Sequence, residues 1–145
     1  MPLDPTARRA RREALLALAS RFVAEAGKRL GPVTGWVYGS VARGDFNLWS
    51  DVDVIVVAKA LPQRPQDRFG LLLELSPAGV EPKGYTEAEF RELLSKLDPQ
   101  LLEALNTREL LADELGLEQE LARALDRRRR GGRPVAGEGP TPGAA

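Results

Sequence analysis

Residues 39–54 read Gly39-Ser40-Val41-Ala42-Arg43-Gly44-Asp45-Phe46-Asn47-Leu48-Trp49-Ser50-Asp51-Val52-Asp53-Val54. The Gly-Ser pair closes a short apolar run over residues 33–38, and ten residues separate Ser40 from Asp51. Asp51 and Asp53 flank a single valine at the head of a second apolar run. Alternate residues of a strand face the same way, roughly 6.6 Å apart along the chain. Both carboxylates are therefore expected to aim at one spot and to hold hard divalent cations. Asp53 lies within the apolar run, where an unpaired carboxylate is costly to bury and a bound metal removes the cost. The Gly-Ser turn supplies what a triphosphate needs nearby: close backbone approach, free N–H groups and a hydroxyl. A metal site and a phosphate cradle on one sheet face read as phosphoryl or nucleotidyl transfer.

Composition narrows the chemistry further. With 145 residues, 43% of them hydrophobic, the chain is expected to form one domain around a modest core. The 21 basic residues equal the 21 acidic ones, so no whole-chain charge points to nucleic acid. Cysteine and histidine are both absent. That excludes disulfides, zinc sites of the usual kind, Ser-His-Asp machinery and imidazole bases. Any metal must take oxygen ligands, which favours Mg²⁺ or Mn²⁺. Any general base must be a carboxylate or, less favourably, a lysine or tyrosine.

The N-terminus combines basic residues with apolar ones, as a leader peptide does. Its apolar part is short, is interrupted by Arg21, Glu25 and Lys28, and continues with helical periodicity. No stretch approaches a membrane span, and the expected location is the cytoplasm.

Around the quoted stretch, local signals order the chain. Asp4-Pro5 starts a helix, with Leu15, Leu18, Phe22 and Ala26 as its apolar stripe, ending at Gly27 or Gly31. Strands are expected over 33–38 and 51–58, the second apolar on both faces beyond its aspartates, as a central strand is. A helix is expected over 66–75, although Gly70 weakens it and Leu71-Leu72-Leu73 also suits a strand. Residues 80–85 form a third, poorer strand because Pro82 and Gly84 argue against regular pairing. Thr86 and Glu89 make a capping box for a helix to Leu97, and Asp98-Pro99 opens another. A short strand follows near Leu110-Leu111, then an amphipathic helix over 117–129. Arg127 to Arg130 read as its solvated end, where cations suit the helix dipole. Trp36 is expected in the core; Trp49, next to the metal strand, could pack beside a nucleotide base or fill the sheet edge, and packing at the edge is expected. Residues 131–145 are Gly/Pro-rich and expected to be a disordered tail.

The Gly39-Ser40 pair, the ten-residue interval holding Ala42-Arg43-Gly44, and Asp51 with Asp53 resemble the nucleotidyltransferase superfamily of DNA polymerase β. Within it the chain is most similar to the minimal nucleotidyltransferase (MNT) proteins, over residues 33–112. The resemblance implies a nucleotidyltransferase fold: an α/β (α+β) domain with a small mixed sheet, helices on one face and the metal site on the other. It implies that Gly39, Ser40 and Arg43 bind the triphosphate and that Asp51 and Asp53 bind Mg²⁺. A third carboxylate, best matched by Glu81, would serve as metal ligand and base. The implied reaction passes a nucleoside monophosphate, AMP from ATP, to a hydroxyl. A separate helical partner of the HEPN type is implied as acceptor, with this chain as the antitoxin of a toxin–antitoxin pair. Two alternatives stay open: a degenerate module that neutralises its partner by contact alone, or transfer to an antibiotic-like small molecule.

Overall fold

The computed structural model describes residues 3–131. The expected tail, apart from Gly131, lies outside the described residues. The first helix, α1 (Pro5–Leu30), begins where the Asp4 side chain accepts the Ala7 N–H at 2.8 Å and Pro5 occupies the first turn. It ends at Gly31, whose φ of +87° is the left-handed conformation glycine permits. Four strands follow with helices between them: β1 (Val33–Tyr38), α2 (Gly39–Arg43), β2 (Val52–Ala58), α3 (Pro65–Leu75) and β3 (Val80–Thr86). The chain then runs through α4 (Glu87–Ser95), α5 (Pro99–Ala104), β4 (Glu109–Asp113) and α6 (Glu118–Arg129).

The sheet is mixed, in the order β3-β2-β1-β4. β1 pairs antiparallel with both β2 and β4, while β2 and β3 run parallel. Registers place Tyr38 opposite Asp53, Asp53 opposite Glu81, and Val37 opposite Glu109. The end of β1 and the beginnings of β2, β3 and β4 thus meet along one border of the sheet. That border carries the candidate site.

Helices cover both faces of the sheet, not one as expected. Val33, Val37, Val54, Val56 and Ala58 point into one core with Leu15, Ala19, Phe22 and Ala26 of α1 and Leu72 of α3. Trp36, Ile55 and Val57 point the other way, into a second core with Phe90 and Leu94 of α4, Leu101 and Leu102 of α5, and Leu121 and Leu125 of α6. The cause is visible in β2 itself. Its valines and isoleucine are apolar on both sides, so each side must be covered to leave water. Asp53 has the same parity as Ile55 and Val57, so its carboxylate lies on the sheet face that carries the α4–α6 layer.

β3 forms a fully registered strand in spite of Pro82 and Gly84. It lies at the sheet edge, where a proline's missing N–H breaks no ladder on the outer side. Gly84 is required by packing: a Cβ there would stand 2.9 Å from Leu72 Cδ1 and 3.1 Å from Leu61 Cδ1. The Leu71–Leu73 run is helical within α3, and Gly70 sits on its open side with no atom crowding it.

Candidate active site

Three side chains stand in a row across β1, β2 and β3: Tyr38, Asp53 and Glu81. Asp51 lies one residue ahead of β2 and is exposed, so it approaches from the loop and not from the ladder. The parallel register of β2 and β3 sets Glu81 directly opposite Asp53, so the two carboxyl groups are neighbours whose charges act on one another. Glu81 is exposed and Asp53 half-buried.

Gly39 closes on this row from the side. Its φ is +74°, and a Cβ at that position would fall 2.5 Å from Asp53 Oδ2. Only glycine meets both demands, so the Gly39 backbone packs directly against the Asp53 carboxylate. From there the chain turns into α2, which places Ser40 in its first turn and Arg43 in its last. Gly44 ends the helix at φ +90°, and its N–H returns to the Ser40 carbonyl at 2.8 Å.

α1 holds this turn from behind. Arg8 donates to the carbonyls of Gly44 at 3.0 Å and Phe46 at 2.7 Å, and its guanidinium lies 5.0 Å from the centre of the Phe46 ring. Arg12 donates to the Val41 carbonyl at 3.3 Å and pairs with Glu109 at 2.8 Å. Two of the basic residues that gave the N-terminus its leader-like look, Arg8 and Arg12, therefore clamp the loop of the site. At the far side Glu118 accepts from the Trp36 indole at 2.9 Å and from Arg108 at 2.9 and 2.6 Å, anchoring the segment before β4. None of these supporting contacts was legible in the spacing of the motif.

Burial, the neighbouring carboxyl of Glu81 and its charge, and the charge of Asp51 push the Asp53 carboxyl up to about 6, with Arg43 opposing them. Burial, aided by the charges of Asp53, Tyr85 and Glu81, pushes the Tyr38 phenol up to about 12. A phenol so hard to ionise is a poor base near neutrality, which leaves the carboxylates to that task.

The donor set suits a hard cation. It consists only of carboxylate oxygens, and the strain of crowding them is what a cation would relieve. Among the described residues no group of three or more acidic side chains stands ready to enclose a metal ion. Magnesium does not require such a cage. It is commonly held by one or two carboxylates together with water and substrate phosphates.

Arg43 is exposed and pairs with Asp45 at 3.2 Å, leaving its charge near enough to act on Asp53. Lys83 shares the face of Glu81 and stands 5.6 Å from the Tyr85 ring centre. Trp36 is fully buried and stacks on Phe90 at 5.2 Å between ring centres. Trp49, expected to pack beside the metal strand, is 83% exposed. Its turn explains why: the Asn47 side chain accepts the Trp49 N–H at 2.8 Å, and the Ser50 hydroxyl accepts the Asn47 N–H at 2.9 Å. This closed local turn points the indole away from the sheet.

The family model described as a nucleotidyltransferase domain matches residues 19–123. No curated protein sequence matches the chain significantly. Among solved structures, the chain is similar to a Sulfolobus solfataricus protein provisionally named a nucleotidyltransferase, whose crystal structure was determined at 1.40 Å resolution. The two share 21% identity with a TM-score of 0.55, over 71% of this chain and 84% of that one. At that identity the likeness bears on the fold alone.

Proposed function

Because the chain belongs to the nucleotidyltransferase domain family, we propose that it transfers a nucleoside monophosphate, AMP from ATP, to a hydroxyl on a separate protein. The observation that carries the reading is the packing of Gly39 against Asp53, with Glu81 and Asp51 adding their charge beside it. Asp51, Asp53 and Glu81 are the residues that would hold Mg²⁺ or Mn²⁺. Such an ion supplies Lewis acidity at the phosphates and neutralises the developing charge.

The residues themselves do the remaining work. Gly39 and Ser40 offer backbone N–H groups and a hydroxyl to the triphosphate, and Arg43 adds a charged donor. The acceptor hydroxyl attacks the α-phosphorus in line, its proton passes to Glu81 or Asp53, and the bond to the β-phosphate oxygen breaks to release pyrophosphate. Positioning and fixed charge are the main sources of rate in such a displacement.

The proposed acceptor is a HEPN-type helical protein, neutralised by the modification, with this chain as its antitoxin in the cytoplasm. A second reading, neutralisation by contact alone, draws on the lack of a ready three-carboxylate group among the described residues. Transfer to an antibiotic-like small molecule has no observation of its own in its favour.

The deciding experiment mixes the protein with a HEPN-type protein encoded beside it, α-labelled ATP and Mg²⁺, and compares Asp51→Asn and Asp53→Asn. Label on the partner that disappears in both variants supports transfer. Neutralisation that persists in both variants without label supports contact alone.

A further inference from the structure

A groove of about 500 Å³ opens beside α2 and between the ends of α5 and α6. Arg43, Glu103, Asn106, Thr107, Arg128 and Arg129 supply its polar lining. The catalytic carboxylates do not line it, but two features relate it to them. Residues 106–108 lead into β4 opposite Val37, and so reach the same sheet border as Tyr38, Asp53 and Glu81. Arg43 belongs to both places, lining the groove while its charge acts on Asp53.

The lining sets three guanidinium groups against one carboxylate, and no aromatic ring is among the described residues that form it. Such a surface has nothing to stack a base and much to hold phosphate, since guanidinium matches phosphate oxygens in charge and planar geometry. Its present ion pairs are loose. Arg128 meets Glu103 at 3.5 Å, with the glutamate 80% exposed, and Arg129 meets Asp126 at 3.6 Å. Exposed pairs of this kind contribute little, so both arginines are available to a stronger anion at small cost.

We propose that this groove receives the β- and γ-phosphates of the nucleotide. Arg128 and Arg129 continue, from the end of α6, the phosphate contacts that begin at Gly39, Ser40 and Arg43. The inference rests on the nucleotidyl-transfer reading and adds to it a clamp on the leaving pyrophosphate. It also gives the arginine-rich helix end a task beyond complementing the helix dipole.

The test is calorimetric titration of the full chain with the four ribonucleoside triphosphates and their monophosphates, with and without Mg²⁺. The double variant Arg128→Ala/Arg129→Ala is expected to weaken triphosphate binding about tenfold or more, leaving monophosphate binding within about twofold. Glu103→Gln, which removes the competing carboxylate without disturbing the arginines, is expected to tighten triphosphate binding by about two- to threefold. Triphosphate binding unchanged in the double variant overturns the proposal. So does an equal loss of both nucleotide classes, or no triphosphate binding by the native chain. A single-stranded oligonucleotide that binds natively and is lost in the double variant, with triphosphate binding intact, assigns the groove to nucleic acid and overturns it as well. The transfer reading fails separately, if label transfer is unchanged in Asp51→Asn and Asp53→Asn whatever the arginines do.

Discussion

Asp53 is the side chain the fold holds at a disadvantage. Its folded carboxyl titrates at about 6 against an ordinary 3.8, so the unfolded chain ionises it first as pH rises. The fold therefore loses stability between those two values and carries the full penalty above the upper one. In metal-free protein, Asp53→Asn is expected to raise stability at pH 8 by about 1–2 kcal/mol, the shift being discounted for the half-exposed setting. The gain should shrink to nothing below the ordinary value; urea midpoints across pH check it, and an equal gain at all pH values would refute the cause given. Gly39 makes the complementary case. Gly39→Ala must place a methyl 2.5 Å from Asp53 Oδ2 in a left-handed backbone, so a loss of about 1–3 kcal/mol is expected. Nucleotidyl transfer should vanish with it, because the carboxylate has to move.

At the level of elements, the local signals were dependable wherever a side chain satisfies its own helix end. Asp4-Pro5, the Thr86–Glu89 capping box and Asp98-Pro99 each open a helix where the sequence places one. β3 was harder to read because the tolerance of Pro82 depends on lying at an edge, and that is decided by strand order. The arginines of α1 were harder still. Arg8 and Arg12 reach residues more than 25 positions away, beyond any local pattern. Removing both, as Arg8→Ala/Arg12→Ala, is expected to free the loop after α2. Hydrogen exchange should quicken at the amides of Gly44 and Asp45, which now bond to the Ser40 carbonyl. Helices α4 to α6 should keep their protection, and a uniform loss across the chain would contradict a local clamp.

Across the whole molecule, two cores share one thin sheet, so neither layer is expected to melt alone. Phe90 joins α4 to the sheet through its stack on Trp36, and Tyr85 meets it edge-on at 6.0 Å. Phe90→Ala is expected to cost about 3–5 kcal/mol. Far-ultraviolet circular dichroism and the emission of buried Trp36 should then report one coincident transition. Trp49, 83% exposed, should change little on unfolding, so a Trp49→Phe variant isolates the Trp36 signal. Two separated transitions would mean that the α1 and α4–α6 layers unfold independently.

The sequence by itself determined the order of every element but α2, the mixed α/β class and the nucleotidyltransferase resemblance, because helix caps, strand alternation and a ten-residue motif are local properties of the chain. Tertiary structure alone decided that Glu81 lies beside Asp53, that α1 braces the loop after α2, that both sheet faces are covered and that Trp49 stands in water. Each of those depends on which strands become neighbours and which helix lies over them, and long-range packing settles that with residues far apart in the chain.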